Sequence, residues 1–317
     1  MNQAASGDAS QQHGGGRQRP PSRETQTLSG AGPLVRYANF VKLPHTLFAL
    51  PFALVGVTLA SYRAPITWGR LAWTVLAFTS ARFAAMGFNR IADRHFDACN
   101  PRTAMRELPS GEMSVREAWI AVIVAVVLFA LAASRLNALC FALAPAAIAW
   151  VFFYSYTKRF TRWSHLVLGL GLGIAPVGGY LALTGQWSDP AWMLPALAAA
   201  VMCWTAGFDI LYALQDIDFD RAHSLHSIPA QFGVSRALIL ARTSHVLTVA
   251  FLAAVGIATG GGRLYVAGVV AAAALLTYEH TLMNARDVSR VDKAFFTVNM
   301  ALSSVFFAFV LAERLSQ

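Results

Sequence analysis

The stretch FNRIADRHFD, Phe88 to Asp97, stands at the end of a strongly apolar run. Read as a helix, it sets Asn89, Asp93 and Asp97 at i, i+4 and i+8. Each step of four turns the side chain by only about 40°, so the three line one stripe. Two carboxylates and an amide on one stripe suit a hard cation such as Mg²⁺, which takes one or two protein carboxylates and fills its shell with water and phosphate oxygens. Taken alone, the stretch reads equally as a polar helix end with solvated acids at a membrane surface. A second stretch, DILYALQDIDFD from Asp209 to Asp220, also follows an apolar run. It places Asp209, Tyr212, Asp216 and Asp220 at i, i+3, i+7 and i+11 on one predicted helix face, with Asp218 turned away. Of 16 acidic residues in the chain, six (Asp93, Asp97, Asp209, Asp216, Asp218 and Asp220) fall in these two segments. Clustering of that kind at two helix ends points to two halves of one diphosphate–Mg²⁺ site.

Composition decides the class around them. Of 317 residues, 56% are hydrophobic and 13% charged, about half the charged fraction of an ordinary soluble domain. With repeated apolar runs of about 20 residues, the expectation is an all-α polytopic membrane protein. Spans are predicted near 45–62, 70–90, 115–134, 137–157, 164–184, 191–213, 237–258, 263–282 and 294–313, about nine transmembrane helices. The two acid-bearing spans are the second and the sixth, each followed by a long polar segment (93–114 and 214–236), which hints at a duplicated four-helix unit with a ninth helix added. Residues 1–33, rich in Gly, Gln, Ser, Pro and Arg, cannot bury apolar surface and are expected to form a disordered cytoplasmic tail; residues 34–317 form the membrane domain. No apolar segment ahead of a cleavage site marks a signal peptide. Cys99, Cys140 and Cys203 show no metal or redox spacing and are expected to form no disulfide.

The net charge of +9 is distributed by topology rather than gathered into a nucleic-acid-binding patch. With the predicted spans, 18 of the 25 basic residues fall on the side of the two acidic stretches and five (Arg63, Arg70, Arg135, Arg263 and Arg314) on the other. The positive-inside rule then puts the N-terminus and both acidic stretches in the cytoplasm. Arg82 and Arg242 are left inside spans. A cation at membrane depth faces a polar cavity or a partner. Arg82, seven residues before Asn89 and on nearly the same face, is expected to line a pocket and pair with an Asp or with a substrate carboxylate; an interhelical ion pair is the alternative.

A diphosphate that departs as a leaving group carries off negative charge and leaves positive charge on carbon. The first needs cations and donors, the second a dry, electron-rich surround. Mg²⁺ held by Asp93, Asp97, Asp216 and Asp220, with Asn89 and Asp209 beside them, would supply the first. Tyr212, between carboxylates on its stripe, and Tyr154 could serve the second. Tyr156 reads better as an interfacial aromatic. The glycines of GLGLGIAPVGG, Gly169 to Gly179, lie inside a span and read as helix-packing positions.

These segments resemble the UbiA superfamily of intramembrane aromatic prenyltransferases, in particular its 4-hydroxybenzoate polyprenyltransferase branch. The resemblance is carried by VKLPHTLFALPFALVG (Val41 to Gly56), the Asn89-x-x-x-Asp93-x-x-x-Asp97 segment with its tail RTAMRELPSG (Arg102 to Gly111), YSYTKRF (Tyr154 to Phe160) and DILYALQDIDFDRAHSLHSIPAQFG (Asp209 to Gly233). It implies a UbiA-like helical bundle, Mg²⁺ as cofactor, a polyprenyl diphosphate donor and an aromatic acid acceptor. It also implies phosphate-clamping roles for Arg102, Arg106, Lys158 and Arg159, basic residues that topology alone would place in cytoplasmic loops. Lys42 and His45 fall in a segment the resemblance sets near the acceptor or the diphosphate; Lys42 reads equally as a headgroup anchor. One departure stands out: the superfamily's first motif usually opens Asn-Asp, and position 90 here is Arg.

The resemblance implies alkylation of 4-hydroxybenzoate ortho to its hydroxyl for a ubiquinone-type quinone, at a bacterial inner membrane. A naphthoate acceptor for menaquinone is the alternative inside the family. Outside it, the alternative is a secondary transporter, whose acids usually lie near the bilayer midplane at broken helices.

Overall fold

The computed structural model describes residues 28, 30, 32–282 and 297–317. The predicted disordered tail therefore falls almost wholly outside the described residues. Among those described there is no strand. The helices are α1 (Pro33–Phe40), α2 (Leu43–Ala60), α3 (Trp68–Cys99), α4 (Val115–Leu136), α5 (Ala138–Thr157), α6 (Ser164–Thr184), α7 (Met193–Tyr212), α8 (Ile217–Ala222), α9 (Ile228–Thr259), α10 (Arg263–Thr281) and α11 (Asn299–Leu315). Their starts follow local chemistry. Ser114 and Glu117 form a reciprocal capping box at α4, and the side chains of Thr67, Asn137 and Ser227 accept from backbone N–H groups at α3, α5 and α9. Each such cap satisfies a donor that a helix start leaves without an intrahelical partner.

Seven helices among the described residues are long and apolar enough to cross a membrane: α3, α4, α5, α6, α7 with its continuation to Ala222, α9 and α10. The other two predicted spans fall on α2 and α11, whose described apolar lengths are shorter, so length and composition do not reach the predicted nine. Large aliphatic residues such as Ile123 and Val127 on α4, Ile257 on α9 and Val270 on α10 are more than half exposed. A surface of that kind suits lipid and not water. The chain is an integral membrane protein.

The bundle packs around α7, its most buried long helix, which lies against α6 and α9. Trp204 of α7 is fully buried against Phe52 of α2 and Phe208. The glycine-rich run predicted to pack helices does so. A Cβ on Gly173 would stand 2.6 Å from the Ala198 carbonyl oxygen of α7, and one on Gly169 or Gly179 would collide with the backbone of α7 or α2. Only a missing side chain permits that approach. On other faces of α6, Gly171 and Gly178 line an internal cavity.

Two predicted boundaries change. The second span, expected to end near residue 90, continues as one helix to Cys99, and the segment predicted as a loop from 214 contains a 3₁₀ turn, α8 and the start of α9. α9 begins at Ile228 and is interrupted at Gly233, whose positive φ of 76° breaks the helix.

Candidate active site

Because α3 runs on to Cys99, Asn89, Asp93 and Asp97 project from one continuous helix. The Asn89 amide donates to Asp93 Oδ2 at 2.8 Å. The second stretch behaves differently. α7 closes at Tyr212, the chain makes a 3₁₀ turn over Ala213–Asp216, and α8 restarts at Ile217. The single helical stripe predicted for Asp209, Tyr212, Asp216 and Asp220 is therefore corrected: a 3₁₀ turn has three residues per turn and re-phases whatever follows it. Burial still sorts the acids as the spacing suggested, since Asp216 and Asp220 are buried and Asp218 is exposed.

The four predicted clamp residues each hold one acid. Arg102 grips Asp216 with two parallel bonds, Nη2 to Oδ2 at 2.7 Å and Nε to Oδ1 at 3.1 Å, and its Nη1 donates to the Tyr212 hydroxyl at 3.0 Å. Arg106 donates to Asp97 Oδ1 at 2.7 Å. Arg159 reaches Asp93 Oδ1 at 3.3 Å and the Ala92 carbonyl at 2.7 Å. Lys158 reaches Asp220 Oδ2 at 3.4 Å. Asn100, which the sequence did not single out, closes α3 and adds a bond to Asp216 Oδ1 at 3.2 Å.

These contacts join the two stretches. Arg102 and Asn100 follow α3 yet hold Asp216 after α7, while Lys158 and Arg159, adjacent at the end of α5, hold one acid from each. Burial alone would lower the pKa of Lys158; Asp220, Asp216 and Asp209 outweigh it and hold the ammonium above its ordinary value. Lys158 is thus charged at neutral pH.

Beneath this polar layer lies a cavity of about 390 Å³, within the range of small-molecule sites. Lys42, Arg82, Asn89, Arg90, Arg106, Asp209 and Tyr212 line its polar part, and apolar residues of α3, α4, α5 and α6, with Phe208 of α7, most of the remainder. Lys42 enters from the corner between α1 and α2, in a left-handed conformation with φ of 47°. Such a backbone is uncommon outside glycine and persists where surrounding structure enforces it. Arg90, the residue that departs from the superfamily's Asn-Asp, is buried and donates from Nε to the Phe40 carbonyl at 3.3 Å, holding that corner against α3. Arg82 lines the cavity and donates to Thr46 Oγ1 of α2 at 3.3 Å. Tyr154 lines it too and feels the charges of Asp209, Asp93 and Arg106, whereas Tyr156 is exposed and packs on Phe88 and Arg159.

The side chain of predicted His45 lies outside the described residues. His226 lies off the cavity and pairs with Gln231 at 2.9 Å. Asp209 pairs with a residue that sequence reasoning missed: His165, at the start of α6, approaches Asp209 Oδ2 to 2.7 Å through Nδ1. Nothing in local spacing announces a partner 44 residues away.

Among the described residues, no three His, Cys, Asp or Glu side chains converge as a metal cage of their own. The donors nevertheless fit a metal that arrives with diphosphate. Mg²⁺ needs only one or two protein carboxylates when phosphate oxygens complete its shell, and Asp97 Oδ2 is buried with no hydrogen-bond partner. Arg102, Arg106, Lys158 and Arg159 balance the acids and are cations of the kind that bind diphosphate oxygens.

The cavity of an integral membrane protein is thus capped by paired acids and bases, a layer with the chemistry to hold metal and anionic groups. Residues 49–305 match the UbiA prenyltransferase family, and the chain belongs to that family. It is 32% identical over 278 residues to a 4-hydroxybenzoate octaprenyltransferase of Aeromonas salmonicida, covering 87% of this chain and 94% of that protein. It is 31% identical over 238 residues to one of Pectobacterium atrosepticum, covering 74% and 82%. Among solved structures, the apo form of a UbiA homolog from Aeropyrum pernix K1 superposes with a TM-score of 0.77 at 34% identity, over 84% of this chain and 97% of that one. A UbiA homolog from Archaeoglobus fulgidus, bound to DMAPP and Mg²⁺, shares the fold with a TM-score of 0.70 at 21% identity, over 89% of this chain and all of that one.

Proposed function

We propose that the chain transfers a polyprenyl group from polyprenyl diphosphate to a hydroxylated aromatic acid, 4-hydroxybenzoate, in quinone biosynthesis. The observation that carries this reading is the joining of both acidic stretches, with four cations among them, above a cavity that runs from polar to apolar. The diphosphate lies in the polar layer, where Asp93, Asp97, Asp216 and Asp220 would hold Mg²⁺ and Asn89 orients Asp93. Mg²⁺ would supply neutralisation of charge on the departing diphosphate. Arg102, Arg106, Lys158 and Arg159 turn from the acids to the diphosphate oxygens. The prenyl tail lies along the apolar faces of α4, α5 and α6 toward lipid.

The allylic C–O bond breaks with its electron pair leaving on the diphosphate. The ring carbon ortho to the acceptor hydroxyl forms the new C–C bond, and the ring proton is released, giving prenylated acid, diphosphate and a proton. Tyr154 and Tyr212 offer electron-rich ring faces beside the allylic cation, and the apolar cavity keeps water from it. Arg82, at membrane depth, takes the acceptor carboxylate, a bond Arg is shaped for. The relatives named 4-hydroxybenzoate octaprenyltransferase support the acceptor. The excess of Lys and Arg at the acidic end supports a site facing the cytoplasm of a bacterial inner membrane.

The test uses purified chain in detergent with Mg²⁺, labelled prenyl diphosphate and, in parallel, 4-hydroxybenzoate, a dihydroxynaphthoate or no acceptor. Labelled product is expected with 4-hydroxybenzoate and is lost with EDTA. Product with the naphthoate alone moves the acceptor and keeps the reaction. No product with either acceptor contradicts the reading.

A further inference from the structure

Among the described residues, His165 is a fully buried imidazole whose contacts reach the cavity wall, and the transfer reaction as written makes no use of it. It sits at the start of α6 with its side chain 0% exposed. Its ring joins three elements. Nδ1 meets Asp209 Oδ2 of α7 at 2.7 Å, and Nε2 accepts the backbone N–H of Ile228, the first residue of α9, at 3.3 Å. That N–H is one of the donors a helix start leaves without an intrahelical partner. Because Nε2 must present a lone pair to it, the ring proton resides on Nδ1 and is donated to Asp209. The geometry therefore sets both the tautomer of His165 and the orientation of the Asp209 carboxylate.

One carboxylate oxygen is thereby occupied and the other is not engaged by His165. The Asp209 side chain is 19% exposed and lines the cavity beside Tyr212. With Nε2 accepting from Ile228, Nδ1–H is the donor of a neutral ring and brings no cation to the Asp209 carboxylate. Asp216 and Asp220, by contrast, are held by cations.

We infer that His165 is a positioning residue: it holds Asp209 so that Oδ1 accepts the hydrogen bond of the aromatic acceptor's phenolic hydroxyl, fixing which ring carbon meets the allylic carbon. The inference rests on the reading of the chain as an aromatic prenyltransferase. It assigns the two ends of the acceptor to separate groups, the carboxylate to Arg82 and the hydroxyl to Asp209.

The two ring nitrogens can be tested separately. In His165→Asn the amide stands near the position of Nδ1 and can still donate to Asp209. In His165→Gln the amide reaches the position of Nε2, retaining the Ile228 contact and losing the Asp209 bond. With the acceptor varied, His165→Asn is expected to keep kcat within about threefold of wild type, and His165→Gln to lose on the order of 10- to 100-fold, the scale of a misplaced reacting group. Pyrophosphate binding in the presence of Mn²⁺ should be unchanged in both. Asp209→Asn should match His165→Gln, and the double variant should be no worse than either single one.

Equal losses in the Asn and Gln variants, or additive losses in the double variant, would overturn the inference and leave His165 as a structural tie. Should His165→Gln unfold in detergent, His165→Asn and Asp209→Asn decide: a loss in His165→Asn as large as that in Asp209→Asn, or no loss in Asp209→Asn, overturns it. A wild-type protein that prenylates neither acceptor fails the underlying reading instead, a result visible before any variant is compared.

Discussion

Replacing Asp216 by Asn lowers the rate of prenyl transfer on the order of 10²- to 10³-fold, the range for removing one preorganised electrostatic contact from a transition state. The side chain keeps its shape, so Asn100 and Arg102 still have an oxygen to bond. What is lost is the charge that balances Arg102 before substrate arrives and that would hold Mg²⁺ against the diphosphate afterwards. Tyr212 is affected as well, because its hydroxyl accepts from the same guanidinium at 3.0 Å. The measurement is an initial rate at saturating acceptor and donor, with thermal unfolding as a check on the fold. A rate within threefold of wild type, in a protein that unfolds normally, would mean that the acid after α7 takes no part in ionising the diphosphate.

Replacing Arg82 by Leu raises the acceptor KM about 10- to 100-fold, the equivalent of one hydrogen-bonded charge pair worth roughly 1.5–3 kcal/mol, and leaves the KM for prenyl diphosphate unchanged. Arg82 lies on α3 two turns before Asn89, lines the cavity and is steadied by the hydroxyl of Thr46 from α2. A guanidinium at that depth is expensive to keep in a membrane protein and commonly marks a site for a charged ligand. An acceptor lacking its carboxylate should lose the distinction between wild type and variant. If the diphosphate KM rises with that of the acceptor, or if the variant only unfolds earlier with unaltered KM values, Arg82 is a structural ion-pairing group and the carboxylate is held elsewhere.

Much of this arrangement is legible before any coordinates. The stripe of Asn89, Asp93 and Asp97 is readable because α3 is unbroken through it, so sequence spacing equals spatial phase. The stripe from Asp209 to Asp220 is not, because periodicity carries no sign of the 3₁₀ turn at Ala213–Asp216 that re-phases the last two acids. Their burial survives because Arg102, Asn100 and Lys158 arrive from elsewhere to satisfy them.

The basic residues show a second limit. Positive-inside patterning explains why Arg102, Arg106, Lys158 and Arg159 are on that side, but not which acid each takes. His165 shows a third: a histidine inside an apolar stretch is unreadable until the fold brings Asp209 and Ile228 to its two nitrogens. The packing glycines were readable as small residues in a span, yet the split between Gly173 against α7 and Gly178 on the cavity needs the helix neighbours.

On the proposed function, the ends of α3 and α7 form one site that takes metal together with diphosphate. It is tested most directly by the electron paramagnetic resonance of Mn²⁺ titrated into the purified chain, with and without pyrophosphate, in wild type, Asp93→Asn and Asp216→Asn. Mn²⁺ alone is expected to bind weakly, because Arg102, Arg106, Lys158 and Arg159 already occupy the acids, and much more tightly once pyrophosphate is present. Either substitution alone should abolish that gain. Mn²⁺ binding indifferent to pyrophosphate, or a gain that survives in one of the two variants, would contradict a single shared site.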